Sequence, residues 1–341
     1  MSNVYWLGTA TAVAQIATGS IDSVDGTPAN NTFTVTIGGE AIDQVGDTDV
    51  ATTAAALVVL LNAATHPYFA AVTWTNPSAG NIVGTADTAG VPFVAALTET
   101  GAGTGAVTDF AATLASSGPN DWSTASNWSG GAVPVNSDDV IIENTSVSIR
   151  WGLMQSAVAL TSLIIKKSFT GRIGLKEKSF ATSSNGDTEA AAPSDVEYRQ
   201  KYLNIKSTDV KMGENNQNNK AAGSGLIKLD LDSTASTVTI YGSAKAIETN
   251  KPAIQLLANS ASTKIYVREA TGGVGIAVGE AFETSTIASV DIGDSMVSNG
   301  VQVGAGTTIT SFSQKSGTSF IEAAATITTI DADGGNLTLE G

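Results

Sequence analysis

Down the last third of the chain, short apolar pairs recur, each followed by a turn of Gly, Asn, Ser or Asp. Ile287, Val290 and Ile292 align with Ile309 and Phe312, and then with Ile327 and Ile330, as one column of matching positions. Val301 with Val303, then Phe320, then Leu337 with Leu339 make a second column, offset by half a repeat. The period is about 18 to 22 residues, within the range of stacked-coil architectures. One such coil cannot bury its inward side chains alone, whereas stacked coils bury them together and leave a long outer wall. The pattern predicts a parallel β-solenoid (β-helix) over 143–341. Its core positions are Leu160, Leu163, Ile165, Ile173, Leu203, Ile205, Leu229, Leu231, Ile309, Phe312, Ile327 and Ile330. The polar interruptions at 176–202 and 212–223 are expected to project as loops from one face.

The first hundred residues follow a different rhythm. Thr32 to Ile37 alternates as a strand does, and Gly38-Gly39 predicts a hairpin turn into Ala41 and Ile42. Asp47, Thr48 and Asp49 offer N-cap oxygens ahead of Val50, Ala54, Leu57, Val58 and Leu61, an apolar stripe on one helical face. Pro67 is expected to stop this helix, with His66 as its C-terminal residue, and strands are expected over 70–75, 81–86 and 92–97. The segment 1–100 thus reads as a small α+β anchor domain. Residues 101–117, rich in Gly, Thr and Ala, read as a linker. Within 118–142, Trp122, Trp128, a Gly-Gly turn and Pro134 precede an apolar strand. That block reads as a cap packed over the first coil, because an uncovered coil exposes its core and its strand edges. The fold class is therefore mainly β, a small α+β domain followed by a solenoid.

Composition narrows what such a protein does. Hydrophobic residues reach 42%, yet aromatics are 6% and charged residues 14%, so Gly, Ala, Thr and Ser cover much of the surface. Against 17 basic residues stand 32 acidic ones, a formal net charge of −15 that repels phosphate backbones and excludes a nucleic-acid partner. Cysteine is absent, which removes disulfides and thiolate metal sites. The opening Ser2-Asn3-Val4-Tyr5-Trp6 has neither the basic nor the apolar stretch of a secretory signal. No run approaches the ~18 apolar residues of a membrane span. The expectation is a protein made in the cytoplasm, with no membrane partner.

Few residues suit chemistry. His66 is the sole histidine, and no Gly-x-Ser-x-Gly elbow accompanies it, so a nucleophilic triad is not expected. Two carboxylate pairs could serve glycoside hydrolysis: Asp195 with Glu197, beside Tyr198 and Arg199, and Asp230 with Asp232. The second pair, two apart on a strand, would face one side, alternating with Leu229 and Leu231. Asp43, Asp47 and Asp49, or Asp331 and Asp333, could offer oxygens to Ca²⁺ but lack the spacing of a calcium loop. No metal or cofactor is expected. Trp122 and Trp128 suit packing better than sugar stacking. Gly272-Gly273-Val274-Gly275 opens no helix and reads as a bend in a coil.

The block Asp121-Trp122…Asn127-Trp128-Ser129-Gly130-Gly131…Pro134…Asp138-Asp139-Val140-Ile141 resembles the opening of autotransporter-associated β-helix repeats. With Tyr198-Arg199…Tyr202-Leu203-Asn204-Ile205 and Gly223-Ser224-Gly225-Leu226-Ile227-Lys228-Leu229, the arrangement is similar to structural proteins of tailed bacteriophages. That resemblance implies a virion component on the outer capsid surface, a decoration or cement protein. Small-residue, low-charge faces can pack closely against copies of themselves, so a homotrimer is expected, with the major capsid protein or another virion protein as its partner. A tail spike or fibre recognising host glycans, and behind it a β-helix polysaccharide depolymerase, are the rival readings.

Overall fold

The structure is a computed structural model and describes residues 2–28, 30–175, 200–213, 225–242, 251–270, 272–278, 284–293 and 301–340. The chain is mainly β, in two compact units. One comprises Met1–Thr9, Asn120–Lys176 and Gln200–Gly341; the other contains Ala10–Pro119.

The first unit is a large parallel sheet built as two ladders. From Leu203 onward the chain alternates between them, laying one strand on each before advancing. Leu203–Met212, Thr237–Tyr241, Asn259–Glu269, Ser285–Ile292, Thr307–Gln314 and Thr326–Ala332 stack on one ladder. Leu226–Asp230, Ile254–Leu257, Val274–Ile276, Val301–Val303, Thr318–Ile321 and Asn336–Leu339 stack on the other. The two meet where Leu203 and Asn204 pair with Leu229 and Asp230. This is a β-helix-like arrangement.

Register explains the apolar columns. Val4, Val140, Leu163, Val210, Val238, Ile265, Val290, Phe312 and Ile330 are successive partners along one ladder. On the other, Leu203, Leu229, Leu256, Ile276, Val303, Ile321 and Leu339 follow one another. All but the last member of each column are buried. Leu160, Ile165, Ile173, Ile205, Leu231 and Ile309 are also buried in this core. Ile327 packs partly buried against this core, whereas Ile330, expected in it, is exposed on the last described rung, where no further strand follows among the described residues.

One position in the second column is corrected. Val301 aligns with Ser319, not Phe320, and Ser319 Oγ accepts the Val301 N–H at 3.4 Å. Ile321 takes the inward place and Phe320 pairs with Gln302 on the outer face. A slip of one residue exchanges the two faces of a strand. Thr-Ser-Phe-Ile offers two adjacent large apolar residues between which composition does not choose.

The second unit holds a four-stranded and a three-stranded antiparallel sheet with one longer helix. Asn31–Ile37 and Glu40–Val45 form the expected hairpin, with Gly38 at φ 63° and Gly39 at φ 88°, as a two-residue primed turn requires. The helix Val50–Ala63 is capped by Asp49, whose side chain accepts the Thr52 N–H at 2.8 Å. Ala54, Leu57, Val58 and Leu61 are buried against Phe33, Val35 and Trp74, while Val50 is partly buried. Four expectations change here. The helix ends at Ala63, and Pro67 instead opens a short helix, Pro67–Ala70, where its missing N–H costs nothing. His66 is the N-cap of that turn, accepting the Tyr68 N–H on Nδ1 at 3.4 Å. The segment 101–117, expected as a linker, carries the strand Ala106–Leu114, paired with Ile16–Ser23. Similarly, the strand expected over 92–97 runs from Ala96 to Gly101.

The register makes a direct prediction. Phe312→Ala should cost about 3–5 kcal/mol, as truncation of a fully buried aromatic does. Phe320→Ala should cost less than about 1.5 kcal/mol, as for a partly exposed side chain. Equal losses in urea denaturation would mean that Phe320, not Ile321, faces the core.

Candidate functional site

The N-terminal end of the parallel sheet is the most elaborated part of the chain. Asn3–Tyr5 pairs in parallel with Asp139–Ile142, so the first residues form the sheet's first strand. Three indoles follow from this placement. Trp6 stacks edge-on against Trp128 at 5.0 Å between centroids, and Trp122 against Trp128 at 4.5 Å. All three are buried, as is Pro134. Trp6 Nε1 donates to Val147 O at 3.0 Å and Trp128 Nε1 to Trp122 O at 2.7 Å, whereas Trp122 Nε1 has no acceptor among the described residues.

The polar residues of the motif hold this cluster. Asn127 is buried; its Nδ2 donates to Asp121 O at 2.8 Å, and its carbonyl accepts the Leu7 N–H at 2.7 Å. Ser129 embraces Tyr5, donating its N–H to Tyr5 O at 2.9 Å and accepting the Tyr5 N–H on Oγ at 2.8 Å. Gly130 and Gly131, at φ 86° and 69°, turn the chain away. Trp6 and the Asn3–Tyr5 strand were not anticipated from sequence. The only local sign was the Val4-Tyr5-Trp6 apolar triplet, too short to show a period.

Two carboxylates in this region are tuned in opposite directions. Asp121 is buried, which pushes its pKa up, only partly offset by the Ser123 N–H on Oδ1 at 2.8 Å. For Asp138, burial also pushes upward but is outweighed: Ser2 Oγ donates to Oδ1 at 2.6 Å and Val135 N–H to Oδ2 at 3.0 Å. Its pKa lies below the ordinary value.

A second polar cluster lies on the outer side of the second ladder. Lys228, Gln255 and Gly275 are successive register partners, and the two side chains are fully buried. Lys228 Nζ lies 5.3 Å from the centre of the Tyr202 ring, and the Tyr202 hydroxyl donates to Gln255 Oε1 at 3.2 Å. A Cβ at Gly275 would come within 2.7 Å of Pro252 Cγ and 2.9 Å of Val278 Cγ2, so its glycine reflects packing on this wall rather than a bend.

The carboxylate pairs take other roles. Asp195, Glu197, Tyr198 and Arg199 lie outside the described residues. Asp230 ends its strand, accepting Asn204 Nδ2 at 2.6 Å and the Asp232 N–H at 2.9 Å. Asp232 sits beyond the strand at φ 51°, with Lys206 Nζ 3.8 Å away, so the two carboxylates do not share a strand face. Asp43 accepts the Thr34 hydroxyl, Asp47 the Thr48 N–H, and Asp49 is spent on its helix cap. Asp331 and Asp333 are exposed on the last rung and the turn after it. Among the described residues no group of three or more His, Asp or Glu side chains converges as metal ligands would.

Comparison with protein-family models, with curated proteins and with solved structures gives no match.

Two predictions follow from the cap geometry. Trp128→Phe should destabilise the protein by about 1–2 kcal/mol more than Trp122→Phe, because only Trp128 loses a made hydrogen bond. Equal thermal destabilisation would contradict this. The carboxylates give opposite pH signatures. A raised folded pKa makes stability decline as pH rises from the ordinary carboxylate value to the folded one. A lowered pKa adds stability above the ordinary value, and this is lost as pH falls through the folded one. From about pH 2.5 to pH 7, Asp121→Asn should gain thermal stability relative to the parent and Asp138→Asn should lose it. Melting curves showing the reverse signs would overturn the assignment.

Proposed function

We propose that this chain is a structural, non-enzymatic virion protein of a tailed bacteriophage, decorating the outer capsid surface and stabilising the shell. In this reading the parallel sheet closes into a β-solenoid, residues 10–119 supply the capsid anchor, and the protein acts as a homotrimer against the major capsid protein. The observation that carries the proposal is the continuous inward column from Val4 to Phe312, closed at its first rung by Trp6, Trp122 and Trp128. An interior filled rung by rung with aliphatic side chains suits transmission of mechanical load, since close-packed cores deform little.

The outer surface of the first ladder supports close lateral packing of copies. Thr286, Thr308 and Thr326 form one register row there, and Ser289, Ser311 and Thr329 another. Such short side chains surrender little rotamer entropy when covered. The acidic balance of the chain fits a surface partner rather than the packaged genome.

Particles assembled with and without the chain test the proposal. The expected result is copy number comparable to that of the capsid subunits, and earlier release of DNA on heating when the chain is missing. Unchanged heat resistance, or a copy number matching the tail, would refute it.

A further inference from the structure

The helix Val50–Ala63 has no charged side to set against its buried one. Its inner face, with Ala54, Leu57 and Leu61, is fully buried in the core of the second unit. The outward row of Ala51, Ala55, Val59 and Ala63 is exposed, and no charged residue occurs anywhere in the helix. Val59 is 66% exposed and the adjoining Leu60 41%. A surface helix ordinarily carries charged and polar residues on the face away from its core, whereas one that is apolar all round is covered on both sides. The charge of the surrounding chain is one-sided. Residues 10–119 contain nine Asp or Glu and neither Lys nor Arg, and the first Lys or Arg of the whole chain is Arg150. Asp47 and Asp49 stand at the N-terminal end of the helix.

We propose that this outer helix face docks a helix of a different protein, apolar along the contact and flanked by Lys or Arg. A helix fits because the exposed row advances by four residues, the spacing of a packing ridge, and its alanines let a second backbone approach on either side of Val59. Basic flanks fit because every formal charge on residues 10–119 is negative, so a cationic element is attracted and an acidic one turned away. A second copy brings the same nine carboxylates and is repelled, as is a phosphate-bearing partner. This contact is the one the proposed capsid anchor would use, and the identity of the partner rests on that reading. The face and its chemistry are testable on the chain alone.

The test uses the full chain and two labelled amphipathic peptides of about fourteen residues with a Leu and Ala face, one carrying Lys elsewhere and one Glu. Fluorescence anisotropy should show the Lys peptide binding at least about tenfold more tightly than the Glu peptide. Its affinity should fall about tenfold between roughly 50 and 500 mM NaCl. Val59→Asp should weaken the Lys peptide at least about tenfold in spite of the added negative charge, with the circular-dichroism spectrum unchanged. Val59→Ser, which adds no charge, should act in the same direction. Val94 is 67% exposed in the same unit, and Val94→Asp should change the affinity less than about twofold. The proposal is overturned if the Lys peptide does not bind, if both peptides bind alike, or if Val59→Asp acts no more strongly than Val94→Asp. Self-association of the chain that Val59→Asp dissolves would likewise overturn it. The peptides read the face and the particle assay reads the virion role, so either can fail without the other.

Discussion

Parallel stacking in register is the constraint on which the rest of this structure depends. Each inward residue sits one strand spacing, about 4.8 Å, above its counterpart on the rung before. A side chain such as Val238 must therefore fit Val210 on one side and Ile265 on the other. The core is a set of columns, and their apolar character must be kept on every rung. Where the wall turns a corner the columns become polar, and hydroxyls close the resulting bonds: Ser236 Oγ donates to Ser207 O at 2.7 Å, and Thr263 Oγ1 to Thr234 O at 3.0 Å. Such buried polar rows are tolerable only because each donor reaches a carbonyl.

The columns were legible in sequence because one repeat maps onto one rung, so period and register carry the same information. Ile287, Ile309 and Ile327 align in both. Legibility ended where that mapping did. Trp6 reaches Val147 across 141 residues, and no local pattern signals a contact of that range. Ala106–Leu114 escaped notice because alanines and threonines fill most of it, leaving Val107 and Phe110 as its sparse apolar contribution to the core. Asp230 and Asp232 looked like neighbours on one face because the two-residue period was carried past the point where the strand stops. The Asp-Trp…Asn-Trp-Ser-Gly-Gly block pointed to packed tryptophans, which Trp122 and Trp128 are, but not to the strand from the first residues that lies beside them.

The two ladders also differ outward, in a way that alternation alone does not anticipate. The first presents rows of Thr and Ser, many of them exposed. On the second, Leu226–Asp230 is buried on both faces as far as Leu229, with Lys228 laid beside Tyr202. A strand covered on both sides loses its polar-apolar alternation, and an outward lysine there contributes its long aliphatic stem to packing. Short hydroxyl side chains thus line the outer face of the first ladder, while the Leu226–Asp230 strand of the second is covered on both faces as far as Leu229.

The last described rung raises the question of what holds it, since among the described residues it pairs on one side only. Gln314 supplies part of the answer. It occupies the column position after Ile292, where every earlier rung places an aliphatic or methionine side chain. Buried there, its Nε2 lies 3.3 Å from Gly317 O, 3.3 Å from Gly334 O and 3.1 Å from Asn336 O, so one amide spans the turns of the last two rungs. The cost is visible, since Oε1 finds no donor among the described residues. An aliphatic residue would continue the column but could not bond the carbonyls of the turns that follow. Directional bonds from Gln314 do so without relying on aliphatic contact.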